Sequence, residues 1–137
     1  MLWLFRGLVC ALIATSGAAI GCSKGPAVGT VTGDVTFEGQ PVQDGYVSFT
    51  PVDGNSQTGG ASIVDGKFKA EQVPATKMKV ELHGNKKTGK KIKAYDTPES
   101  PVSDEVVELL PSKYNVNSDL TLDVKQGTQH VKYDLKK

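Results

Sequence analysis

Thr30 to Val52 reads TVTGDVTFEGQPVQDGYVSFTPV, and its period of two decides the fold class. Val31, Gly33, Val35 and Phe37 alternate with Thr30, Thr32, Asp34 and Thr36. Successive side chains of a strand point to opposite faces, so this spacing predicts a strand with one apolar and one polar face. Glu38-Gly39-Gln40-Pro41 supplies a turn, and Tyr46 to Val52 predicts a second strand with Val47 and Phe49 on one side. Pro51 has no N–H to give a ladder, so the second strand should end there or lie at an edge.

The same grammar continues toward the C-terminus. Asp53 to Gly60 (DGNSQTGG) has no side chain able to anchor a core and predicts a mobile loop. Ser62-Ile63-Val64 and Lys67-Phe68-Lys69 flank Asp65-Gly66, a pair suited to the positive φ angles of a type I′ hairpin. Lys77 to His83 places Met78, Val80 and Leu82 inward against Lys77, Lys79 and Glu81. From Gly84 to Glu105 the alternation is lost, with Ile92 and Tyr95 as the large apolar residues, and about twenty such residues predict a mobile or functional excursion. Order returns with Val106 to Leu110, and two last strands carry Leu120, Leu122, Val124 and Val131, Tyr133, Leu135, with a turn at Gln126-Gly127. The sum is about seven strands and no amphipathic helix of ten residues, the pattern of an all-β sandwich or barrel.

Ahead of this domain the chain has a different character. MLWLFRGLVCALIATSGAAIGC carries one cation at Arg6, an apolar stretch from Gly7 to Ile20, and Gly21 directly before Cys22. A secretory signal has this layout. The apolar part is shorter than the roughly twenty residues a helix needs to cross a bilayer core of about 30 Å, so removal fits better than a permanent span. Ala19-Ile20-Gly21-Cys22 resembles the bacterial lipobox, although Ala19 stands where that motif usually has Leu. The resemblance implies that Cys22 becomes diacylated and forms the mature N-terminus. The expected organisation is therefore a signal peptide at 1–21, a lipid-anchored Gly/Pro linker at 22–27 and one domain at 28–137.

Composition agrees with an envelope protein. Cys10 falls within the signal and Cys22 takes the lipid, so no thiol is left for a disulfide, and the domain must be held by its own core. Arg6 is the one arginine, so beyond residue 21 lysines balance the 15 acids and no global field draws the domain to nucleic acid. The expected partner is a membrane, reached through the lipid, with any protein or envelope-polymer partner left unspecified. The expected location is the cell envelope, facing the periplasm or the cell surface.

Three segments carry a family resemblance: GTVTGDVTFEGQPVQDGYVSFTPVDG, DGKFKAEQVPATKMKVEL and LPSKYNVNSDLTLDVKQGTQHVKYDL. They resemble the carboxypeptidase regulatory-like, transthyretin-like domains found in small lipoproteins of planctomycete-type bacteria. The family often has Pro-Gly before its fifth strand, where this chain has Pro74-Ala75-Thr76, a departure in turn geometry. The resemblance implies a seven-stranded Greek-key sandwich of immunoglobulin/transthyretin-like type that serves as a non-catalytic module.

Candidate chemistry is sparse. His83 and His130 are the only imidazoles, both expected on outward faces, and no HExxH or Cys/His pairing accompanies them, so no metal or cofactor is expected. No GxSxG elbow marks a nucleophile, and no catalytic residue is assigned. The feature above background is a run of lysines, of which Lys86, Lys87, Lys90 and Lys91 are the candidate contacts to an anionic surface, either lipid headgroups or an acidic polymer. Asp96, Glu99, Asp104, Glu105 and Glu108 follow, and would pair loosely with the lysines if the chain doubles back. Beside a binding or structural module, two alternatives stand: an adhesion or pilin-like domain with a Lys-to-Asn isopeptide crosslink, and a weak hydrolase.

Overall fold

The computed structural model describes residues 25–137, so the signal-like segment and Cys22 lie outside the described residues. β1 (Val28–Phe37) realises the alternation read above, with Val31 and Val35 fully buried and the intervening threonines half-buried. Glu38 and Gly39 both take positive φ and return the chain as β2 (Gln40–Pro41). β3 (Asp44–Pro51) ends at Pro51, and β4 (Gly59–Val64) turns through Asp65-Gly66 into β5 (Lys67–Pro74). Asp65 has φ 51 and Gly66 has φ 76, the two positive values that a type I′ turn requires. Then come β6 (Lys77–Lys93), β7 (Val102–Glu108), a 3-10 turn (Ser112–Tyr114), β8 (Thr121–Asp123) and β9 (Gly127–Leu135).

These strands form one curled sheet that folds over into a sandwich. β6-β3-β4-β5 lie side by side in that order, which is a Greek key. β1 continues the sheet beside β5, and β9 adds to the outer flank of β1 in parallel, from Gly29↔Gly127 to Phe37↔Leu135. β8 covers the start of β6. Only Val64↔Lys67 is paired between β4 and β5, so the layers separate at that hairpin. β9-β1-β5 make one layer, and β4-β3-β6-β8 the other.

The core lies between them. Val47, Phe49, Met78, Val80 and Leu82 from one layer meet Val31, Val35, Phe68, Ala70 and Val73 from the other. The rings of Phe49 and Phe68 meet across the layers at 6.2 Å between centroids. Gly33 is required beneath Phe68, because a Cβ there would stand 2.4 Å from the ring. Burial of apolar area at about 25 cal/mol per Å² is the main stabilising term, as expected for a domain without disulfides.

Two sequence expectations are corrected. Asp53 to Gly60 is a loop only as far as Thr58, because Gly59 and Gly60 pair with Phe49 and Ser48. Those glycines gave no strand signal, since they leave space for neighbours: a Cβ on Gly60 would lie 2.2 Å from the Tyr46 hydroxyl. The larger correction concerns Gly84 to Glu105. This stretch is no irregular excursion, since β6 runs on to Lys93 and turns back as β7 in a two-stranded arm. Its alternation was invisible because the arm has no core on either side.

Candidate functional site

Residues 85–93 of β6 and the whole of β7 form the arm, about 30 Å long at roughly 3.3 Å per residue. The register is Asn85↔Glu108, Lys86↔Val107 and Lys87↔Val106, then resumes at Lys91↔Asp104, Ile92↔Ser103 and Lys93↔Val102. Between the two blocks β6 holds two residues more than β7, accommodated by Gly89 at φ +83. Thr88 Oγ1 bridges this bulge to Glu105, and Lys90 N–H donates back to Thr88 Oγ1 at 3.3 Å. At the tip Ser100 Oγ accepts the N–H of Tyr95 at 2.7 Å, and Ala94 N–H reaches Pro101 O at 3.1 Å.

The root of the arm is fixed by backbone geometry. Gly84 gives its N–H to Glu108 Oε1 at 2.8 Å, and its C=O accepts from Leu109 N–H at 2.7 Å. Both backbone groups of a strand residue point to one flank, so β7 lies on the flank of β6 away from β3. Pairing with β3 ends at Gly45↔Gly84. Past that point the β3 flank of β6 has no ladder partner among the described residues. Glu108 Oε1 also accepts Leu110 N–H at 3.0 Å, and Oε2 faces His83 Nδ1 at 3.0 Å. Burial raises the affinity of Glu108 for a proton, but the two N–H donors and His83 outweigh it and hold the carboxyl below its usual range.

The structure brings the four sequence-predicted lysines onto one strand while giving them different surroundings. Lys87 Nζ lies 3.3 Å from Asp104 Oδ2, and Lys91 Nζ pairs with Asp104 Oδ1. Lys91 and then Lys87 hold the Asp104 carboxyl below its ordinary range. The doubling-back of acids onto lysines is therefore present in this pair. Lys86 and Lys90 make no side-chain ion pair among the described residues, and neither does Lys93, which the sequence reading left out of its set. Lys86 continues the core-facing side of β6, as the inward spacing of Leu82 and Gly84 requires. It lines two open clefts at the arm root, one of about 690 Å³ with Pro41, Gln43, Asp44 and Leu109, the other of about 570 Å³ with Phe37, Glu38 and Lys137.

A second polar cluster, missed by sequence reasoning, lies on the outer face of the other layer. The parallel register sets His130 beside Thr32. His130 Nε2 is 3.0 Å from Asp34 Oδ2, its Nδ1 is 3.0 Å from Thr32 Oγ1, and Lys67 Nζ donates to Asp34 Oδ1 at 2.7 Å. Lys67 and then His130 keep the Asp34 carboxyl below its ordinary range. Hydroxyl, imidazole and carboxylate stand in the order of a proton relay, on an exposed sheet face, and none of the three lines either cleft at the arm root. The arrangement ties β9, β1 and β5 together across their polar side. Spacing along the chain gave no signal for it, because only a parallel β1–β9 pair brings residues this distant in sequence together.

The buried polar side chains among the described residues are Ser100, Asn115 and Ser118. The Asn115 amide donates to the carbonyls of Leu110 and Pro111 at 3.3 and 3.4 Å, and no lysine is among its partners. No helix among the described residues is long and apolar enough to cross a membrane. Comparison of the chain with family models, with curated proteins and with solved structures returned no match.

Proposed function

We propose that this chain is an exported bacterial lipoprotein, anchored through Cys22, whose β-sandwich serves as a non-catalytic binding or structural module of the cell envelope. One observation carries the reading: Arg6, the apolar stretch to Ile20 and Gly21-Cys22 stand a few residues ahead of β1, whose first turn of ladder already belongs to the sandwich. The membrane partner is reached through the lipid, and the linker at 22–27 lets the domain stand clear of it. The resemblance to carboxypeptidase regulatory-like domains belongs to the same proposal, and the all-β sandwich-like architecture supports it. The arm supplies a protruding surface for a binding role.

Cys22→Ser is the test. The variant should lose radiolabelled palmitate and leave the membrane fraction while its β-sheet circular dichroism is unchanged. Retention of both label and membrane association would sink the proposal.

A further inference from the structure

The strand directions place the entry to β1 and the arm at opposite poles. β1 enters at Val28, level with Pro74 at the end of β5, and β6 starts beside them at Lys77. β6 then runs the full height of the sandwich and continues as the arm, so its 17 residues span roughly 56 Å. A linker of six residues reaches about 20 Å at most. A domain held through Cys22 therefore carries Lys93 and Tyr95 at the pole opposite the one where its chain enters β1.

Charge on the arm is sorted by strand. β6 carries Lys86, Lys87, Lys90, Lys91 and Lys93, whereas β7 carries Asp104, Glu105 and Glu108. The lysine strand is the one whose β3 flank is free. Lysines along an exposed edge oppose pairing with another strand, so this edge is poorly suited to strand addition. It is suited to opposite charge, because five ammonium groups are strung along about 23 Å of one strand, with Lys86 on one face and Lys87, Lys91 and Lys93 on the other. The cleft of about 690 Å³ at the arm root sets Lys86 and Lys87 beside the apolar floor of Pro41, Val106 and Leu109, with Asp44 as the carboxylate in its lining.

We propose that a linear polyanion, bearing carboxylate or phosphate groups at regular spacing, lies along the free edge of the arm from the root cleft to Lys93. Lys86, Lys90 and Lys93 supply the unpaired cations, and Asp104 acts against binding by holding Lys87 and Lys91. The placement of the polymer away from the anchoring membrane rests on the tether at Cys22. The binding edge itself does not.

The test uses residues 25–137, which contain both layers and the complete core, so its outcome is independent of lipidation. Binding to long-chain polyphosphate and to polygalacturonate is measured by fluorescence anisotropy at low and at physiological ionic strength, the two probes separating phosphate from carboxylate sources. Binding of at least one probe should fall with salt. A Lys86→Gln/Lys90→Gln/Lys93→Gln variant should bind about tenfold more weakly, roughly the effect of losing 1.4 kcal/mol. Asp104→Asn should bind severalfold more tightly, and Lys69→Gln, on β5, should bind as the parent does. The proposal is overturned if neither polymer binds, if the triple variant is unaffected, or if phosphatidylglycerol vesicles bind the fragment more tightly than both polymers.

Discussion

Glu108 Oε1 accepts the N–H of Gly84 at 2.8 Å, joining the last residue of β7 to the residue at which β6 leaves the sandwich. The same oxygen takes Leu110 N–H, so one carboxylate satisfies the two backbone donors at which the arm meets the body. Glu108→Ala leaves both without that acceptor. The cost should be about 1 kcal/mol, at the low end for lost acceptors because Glu108 is partly exposed. Amide exchange of Gly84 and Leu110 should quicken more than that of Val47, and equal acceleration at all three would refute a local role.

Acid should loosen both the arm and the outer face of the β9-β1-β5 layer. Asp34, Asp104 and Glu108 all have carboxyls held below the ordinary range, by Lys67, by Lys91 and by the Gly84 and Leu110 N–H groups respectively, the last pair against the opposing effect of burial. A carboxylate with a lowered folded value contributes stability above its unfolded value, near 4, and loses it as pH falls through the folded one. The melting temperature should therefore be level from neutral down to about pH 5 and decline below about pH 4. Asp34→Asn should flatten part of that decline, as differential scanning calorimetry would show.

Tyr133 gives the alkaline counterpart. Burial pushes its phenol up to about 12, because the phenolate would lose water against the core. Its neutral form stabilises the fold below the unfolded value near 10, and this is lost as pH rises toward the folded one. Ultraviolet titration should show a late phenolate step that is absent from Tyr133→Phe.

The inter-layer contact sets the scale for core substitutions. Phe49→Ala empties the site facing Phe68 and should cost about 3 to 5 kcal/mol. Gly33→Ala should cost about 1 to 3 kcal/mol by overpacking, since its Cβ would meet the Phe68 ring. Pairing Gly33→Ala with Phe68→Leu should recover part of that loss in urea melts. Strict additivity would show that the ring is not the obstacle.

What could be read from the sequence depended on where the core lies. All seven expected strands are present as β1, β3, β4, β5, β6, β8 and β9, because each has one face on the core and therefore alternates. β7 and the outer part of β6 lie beyond the core, where Val106 and Val107 are both exposed and adjacent, so period two has nothing to enforce it. The lysines of the candidate site were legible as composition. Their division into a pair clasping Asp104 and a set without acidic partners was not, because it depends on the two-residue bulge at Gly89.

The parallel pairing of β9 with β1 also bears on timing. The first strand made is flanked on one side by the last, across about a hundred residues, and contacts of such separation carry a high loop-closure cost. Until residues 127–135 are available, β1 keeps a bare edge and Leu135 is missing from the core. The layer built on β1 is therefore completed late, once residues 127–135 have crossed back to it.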